Sequence, residues 1–260
     1  MRSSLLAQAQ QRAALAGLNL FGVVDAARFD TWQPREQRTT TLHGSCGTVI
    51  VLGSGGRTMA RPAASSHGEP PRAVSNRDIA ALARAAVHEL SRLLWTQSVR
   101  SRVVETEGGD RLNFARLAEA AGFGTVSPVS GLLLHPEFGP WVSVRAALLV
   151  DGRPFGPVAD ASITDRFQPC CNCAKPCIAA CPAAVHDGFG NQDLGRCVDH
   201  RHQGGCAAGC SSRTACPVGA EHRDGVGDEV HRHTDAMVAM QRRFELGVWR
   251  FVPRFLRRFG

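Results

Sequence analysis

The sequence predicts a mixed α+β protein of unequal parts: a core of alternating helices and strands over residues 1–165, a small cysteine-rich module over 166–220, and a tail over 221–260. Three observations carry this. A chain of 260 residues can enclose one core of roughly 150–200 residues plus one appended module. Apolar residues recur at helical spacing in some N-terminal segments and form β-branched runs in others, without internal repeats. Nine of the ten cysteines fall between Cys170 and Cys216, so they mark one segment and favour metal over a disulfide scaffold.

Residues 4–16 read as a helix closed by Gly17 at the C′ position, and 18–24 as extended chain. The run GTVIVLG at 47–53, β-branched and bounded by glycine, reads as a buried strand. Residues 61–73 carry Pro62, Pro70 and Pro71 among Ser, Gly and Arg and read as a surface loop. From 76 to 95, Ile79, Leu82, Ala86, Leu90 and Leu93 mark a helix face, with Ser75 or Asn76 as N-cap. A strand at 102–105 and a helix over 112–121 closed by Gly122 follow. Two extended segments then flank the turn PEFGP at 136–140, the second spanning 142–150. After Asp165, Cys, Pro, Gly and His replace the aliphatic periodicity, which sets the domain boundary. A helix over 234–246 leads into VWRFVPRFLRRFG.

The formal charge of +7 comes almost wholly from arginine, Lys175 being the only lysine. Eight thiolates around two cubane clusters, each centre carrying about −2, would reduce it to roughly +3, so charge alone does not indicate nucleic-acid binding. No apolar run approaches the length of about 20 residues that a bilayer span requires, and no transmembrane segment is expected. The stretch AALAGLNLFGVV at 13–24 contains Gly17, Asn19 and Gly22 and reads as a helix end and strand, not a secretory signal. A soluble cytoplasmic protein with reduced thiols is expected.

In PCCNCAKPCIAACP, Cys170, Cys173, Cys177 and Cys181 give C-x2-C-x3-C-x3-C followed by Pro182. Bacterial ferredoxins use C-x2-C-x2-C-x3-C-P, in which the fourth cysteine serves the neighbouring cluster. If the chain turns helical after Pro176, Cys177 and Cys181 lie about 6 Å apart along the axis, so one thiolate can face each cluster. The second motif, an isolated Cys197 and then Cys206-x3-Cys210-x5-Cys216-Pro217, ends in CPVGA as the first ends in CPAAV. Two [4Fe–4S] clusters are therefore expected. The cross-over rule groups Cys170, Cys173, Cys177 and Cys216 on one, and Cys181, Cys197, Cys206 and Cys210 on the other. Structural zinc is the competing reading; it accepts four cysteines but favours two C-x2-4-C knuckles across a longer spacer. Cys171 is an alternative to Cys170 at the tighter C-x-C spacing. Cys46 reads as a buried free thiol. His200, His202, His222, His231 and His233 crowd the region and read as solvated, since eight cysteines suffice.

The stretch AGFGTVSPVSGLLLHPEFG at 121–139, followed by a strand and this cysteine pattern with its isolated Cys197, resembles epoxyqueuosine reductase and, more distantly, reductive dehalogenases. LAGLNLFGVVDAARFD and TVIVLG resemble that family's opening, and the resemblance spans roughly residues 5–220. It implies a nitroreductase-like, cobalamin-processing-type core joined to a ferredoxin-like double-cluster domain. Electrons would pass through the clusters to cobalamin and reduce an epoxide in a modified tRNA base; the implied donor is of flavodoxin or ferredoxin type. Three features depart from the family. Ser127, Pro128, Val129, Ser130 and Gly131 stand where it carries a G-K-N-T-like stretch. The count for its catalytic aspartate lands on Gly108, leaving Glu107 and Asp110 beside it as candidate proton donors or as residues that complement a helix dipole. Where the family carries C-terminal helical repeats, a tail of 40 residues over 221–260 is expected to stand instead.

In their place, Arg242, Arg243, Arg250, Arg254, Arg257 and Arg258 alternate with Phe244, Trp249, Phe251, Phe255 and Phe259. The pattern suits RNA or an anionic membrane, and equally aromatics packed on the core beneath solvated arginines. Two functions follow from the sequence: a reductase acting on tRNA or a small-molecule substrate, or a ferredoxin-like electron carrier that docks a partner or a corrinoid.

Overall fold

The computed structural model describes residues 2–56, 76–106, 112–161 and 167–223. The loop at 61–73, Glu107, Asp110, His231, His233, the helix at 234–246 and the Arg/Phe tail all lie outside these residues.

A four-stranded antiparallel sheet, ordered β1-β2-β6-β3, organises the core. Its strands are β1 (Leu20–Asp25), β2 (Cys46–Gly55), β3 (Ser101–Glu105) and β6 (Val142–Asp151). The continuous apolar run of β2 has the reason that the sequence suggests: both faces are covered. Ile50 and Leu52 pack with Leu148 and Val150 against α1 (Arg2–Leu15) and α4 (Asn76–Thr96). Val49 and Val51 pack with Ala147 and Leu149 against α2 (Ala26–Asp30) and α5 (Phe114–Ala120). A short α3 (Thr39–Leu42) precedes β2.

Two expectations are revised. The buried face of α4 is Ala83, Ala86, Val87, Leu90 and Leu94, whereas Leu82 is 54% exposed. Burial follows i, i+3, i+4, i+7, i+11, the row set by the sheet and α1, and not the neighbouring row of equally apolar residues. The extended segment before PEFGP is short and does not join the main sheet: β5 (Leu133–Leu134) pairs with β4 (Thr125–Val126). Glu119 on α5 ties this hairpin down, accepting from the Val126 amide at 2.5 Å and from Thr125 Oγ1 at 3.3 Å.

Cys46 is buried at the start of β2, donates to the Thr48 carbonyl, and burial pushes its thiol from 9.0 up to about 11. The folded state holds this proton more tightly than the unfolded chain. Its contribution is therefore complete below pH 9 and is lost as pH rises through about 11. The chain has no tyrosine and one lysine, so the side chains that titrate there are chiefly the other cysteines, and the difference between parent and Cys46→Ala isolates this thiol from them. Chemical denaturation at pH 8 and pH 11 is expected to show roughly 2 kcal/mol less alkaline loss in Cys46→Ala than in the parent. Equal losses would show that this thiol is not the alkaline trigger.

Among the described residues no helix is long and apolar enough to cross a membrane.

Candidate metal centre

The cysteine segment folds as two similar arms. In the first, Lys175 adopts a left-handed conformation (φ 57) and caps α6 (Pro176–Ala179), whose first position is the proline. The helix stops after one turn, and the Cys181 amide donates to the Ile178 carbonyl at 3.2 Å. In the second, Cys210 caps α8 (Ser211–Thr214), and the Cys216 amide donates to the Arg213 carbonyl at 3.1 Å. Each chain leaves its Cys-Pro through a left-handed residue three positions after the cysteine, Ala184 (φ 46) and Gly219 (φ 62). The duplicated Cys-Pro endings are therefore duplicated in backbone as well. Ser212 stands four residues before Cys216, as Cys177 stands four before Cys181. Its hydroxyl donates to the Cys177 carbonyl at 2.7 Å and lies 2.7 Å from His186 Nε2, which joins the arms. Between the arms, α7 (Leu194–His202) carries Cys197 and is capped by Asp193.

The thiols interact as two quartets. Burial pushes the Cys177 thiol up, and Cys170 and Cys173 push it further. Burial raises Cys216 too, aided by the charges of Cys177, Cys170 and Cys173. Cys197 is raised by burial, eased by Arg201, and raised again by Cys210, Cys181 and Cys206; Cys210 is raised by burial and by Cys206 and Cys181. A cationic centre removes this penalty, because it takes the ligands as thiolates. Among the described residues no three His, Cys, Asp or Glu side chains converge enough to hold one metal ion. Four thiolates on a tetrahedral zinc would stand about 3.8 Å apart, whereas a cubane core spreads its ligands more widely.

Cys170, Cys173, Cys177 and Cys216 line a single cavity of about 380 Å³. Its walls are mostly apolar: Val129, Leu132, Leu134, Pro169, Pro176, Pro217 and Val218. The Lys175 amide donates to Cys173 Sγ at 3.4 Å, and Ser127 Oγ lies 3.3 Å from Cys170 Sγ. These donors and the mostly apolar lining fit a four-thiolate cluster. Cys171 is exposed and donates to Gln168.

The core supplies contacts that sequence reading missed. Ser127 to Gly131, the stretch that departs from the family pattern, forms one wall: the Ser127 hydroxyl accepts from the amides of Val129 and Ser130, and Gln192 donates to the Ser130 carbonyl. The guanidinium groups of Arg213 and Arg223 both lie over buried Trp141, at 5.9 and 5.8 Å from its ring. Arg213 donates to the Pro140 carbonyl at 3.1 Å, and Arg223 to the Cys216 carbonyl at 3.4 Å. His222, expected to be solvated, instead packs edge-on against Phe138, with ring centroids 4.9 Å apart. The available sequence signal was the Phe-Gly-Pro-Trp run in the turn, which pairs a tight bend with two large rings. At the closest junction Gly139 faces Val218, and Gly219 faces Phe138, so backbone meets backbone directly.

No protein-family model and no curated protein matches the sequence. Solved structures do. An epoxyqueuosine reductase solved with an epoxyqueuosine-modified tRNA-Tyr stem loop superposes with a TM-score of 0.63 at 17% identity, over 89% of this chain and 69% of that one. The Bacillus subtilis epoxyqueuosine reductase gives 0.60 at 15% identity, over 89% of this chain and 69% of that one. A reductive dehalogenase described as B12-dependent gives 0.54 at 17%, over 88% of this chain but only 35% of its own length. The chain has the fold shared by epoxyqueuosine reductases and reductive dehalogenases.

Proposed function

We propose that this chain is an iron–sulfur reductase, with a nitroreductase-like core over 1–165 and a ferredoxin-like double-cluster domain over 166–220. The observation that carries the reading is the gathering of Cys170, Cys173, Cys177 and Cys216, from both Cys-Pro arms, around one cavity walled by the core. Two bound [4Fe–4S] clusters would supply one-electron transfer between an external flavodoxin- or ferredoxin-type donor and the core. The first quartet holds one cluster; Cys181, Cys197, Cys206 and Cys210 hold the other, with Arg201 providing a neighbouring positive charge. The apolar wall of Val129, Leu132, Leu134 and Val218 excludes water from the first centre, and the Lys175 amide offers its sulfur a hydrogen bond.

By analogy with the neighbours of the same fold, cobalamin is the cofactor proposed for the core and epoxyqueuosine in tRNA the proposed substrate. No described residue is assigned to a corrin, so this part rests on the shared fold. Glu107 and Asp110 remain the proposed proton donors.

Anaerobically purified protein is expected to carry about eight iron and eight sulfide per chain, with broad visible absorbance bleached by dithionite. About two zinc ions and a colourless protein would overturn the reading. Titration with cobalamin is expected to give a base-off spectral change, and the loaded protein to reduce epoxyqueuosine in a tRNA stem loop. Clusters that cycle without cobalamin binding or turnover would make this chain an electron carrier.

A further inference from the structure

The end of the sheet far from the two quartets holds a second cleft, of about 410 Å³. Three separate segments build it: His43 and Ser45 before β2, Ser91, Arg92 and Trp95 on α4, and Arg100 and Ser101 at the start of β3. The quartets lie beyond the other end of β2, where Phe138 packs on Gly55. Ten residues of strand separate the two ends, about 30 Å at roughly 3.4 Å per residue. This cleft is therefore independent of the electron-transfer site.

Its polar wall is ordered from behind. Asp151, the last residue of β6, accepts from Ser45 Oγ at 2.5 Å and Arg100 Nε at 2.8 Å, and lies 2.5 Å from His43 Nε2. The carboxylate is thereby held below its ordinary range, first by the Ser45 bond and also by His43 and Arg100. Its charge is spent on positioning three lining residues. Arg100 binds it through Nε, which leaves the terminal guanidinium nitrogens as donors. Ser91 and Ser101 lie 2.9 Å apart, and only one of the two hydroxyl protons is used between them. Arg92 is exposed on the same helix face, and Trp95, at 67% exposure, is among the most exposed large apolar side chains.

Two arginines and a hydroxyl cluster match a phosphate group, and an exposed indole one helical turn from the cluster matches a flat ring. We propose that this cleft binds a nucleotide unit, with Arg92, Arg100 and the serines on the phosphate and Trp95 stacked on the base. The same chemistry is offered by a free nucleoside monophosphate or by one nucleotide of a single strand. The inference goes beyond the reductase reading and does not depend on it.

The test is ligand-observed NMR on the full chain as purified, titrating AMP, adenosine, inorganic phosphate and a single-stranded hexanucleotide. AMP is expected to saturate in the millimolar range or tighter, with adenosine and phosphate each about ten-fold weaker. Arg92→Gln and Trp95→Ala are each expected to weaken AMP about ten-fold while leaving circular dichroism unchanged, since both side chains are exposed. If the hexanucleotide binds more tightly than AMP and shows the same dependence on both residues, the source is a strand; if AMP binds more tightly, it is the free nucleotide. No saturation by AMP or by the hexanucleotide, or binding that is unchanged in both variants, would overturn the proposal.

Discussion

Removing Cys216 and Cys177 together is expected to cost one cluster, whereas removing Cys216 and Cys181 together is expected to cost both. Cys177 and Cys181 are four residues apart in one arm, so sequence proximity would place them on one centre. The charge interactions separate them: Cys177 pairs with Cys170, Cys173 and Cys216, while Cys181 acts on Cys197 and Cys210. Cys177→Ala/Cys216→Ala should retain about half the parent's iron and sulfide, and Cys181→Ala/Cys216→Ala close to none. Reduced protein with two centres shows magnetic coupling between them, so the first double variant should give a simple uncoupled electron paramagnetic resonance spectrum. Cys171→Ala should leave both metal content and spectrum unchanged. Loss of both centres in Cys177→Ala/Cys216→Ala would mean that the grouping follows the chain and does not cross between arms.

The second large effect is expected at Gly139. Its φ is +55, and a Cβ there would fall on the carbonyl oxygen of Val218, within the Cys-Pro-Val-Gly turn. Backbone cannot rotate aside as a side chain would, so Gly139→Ala must separate the second arm from the core. We expect a loss of about 3 kcal/mol, combining left-handed strain of about 1 kcal/mol with the displaced contact. Gly152→Ala is the matched control, because its φ is +60 and nothing lies within 4 Å of the new methyl group. It should cost only the strain, about 1 kcal/mol. Val218 lines the first-quartet cavity, so Gly139→Ala should also shed the first cluster faster on exposure to air. Equal melting temperatures for the two variants would show that the junction is not under steric constraint.

Both predictions depend on contacts of different range, and that difference explains what could be read in advance. The Cys-Pro endings and the ferredoxin cross-over rule suggested a grouping of eight thiols, and the charge interactions between them are the basis on which the same grouping is proposed. The strand at GTVIVLG was readable as well: a continuous β-branched run needs cover on both faces. The face of α4 was not readable. Alanine and leucine occupy two adjacent rows of that helix, and only the sheet and α1 select Leu94 and expose Leu82.

Local periodicity, turn chemistry and cysteine spacing thus establish the helices, the principal strands and the two Cys-Pro arms, because each depends on residues a few positions apart. Tertiary packing alone establishes the strand order β1-β2-β6-β3, the wall that Ser127 to Gly131 present to Cys170, and the contacts of Arg213 and Arg223 with the Trp141 ring. It also assembles the remote cleft from segments near residues 43, 92 and 151. In each of these the partners are many tens of residues apart, so their meeting reflects the sum of burial and backbone pairing over the whole core, which no short stretch of the chain encodes.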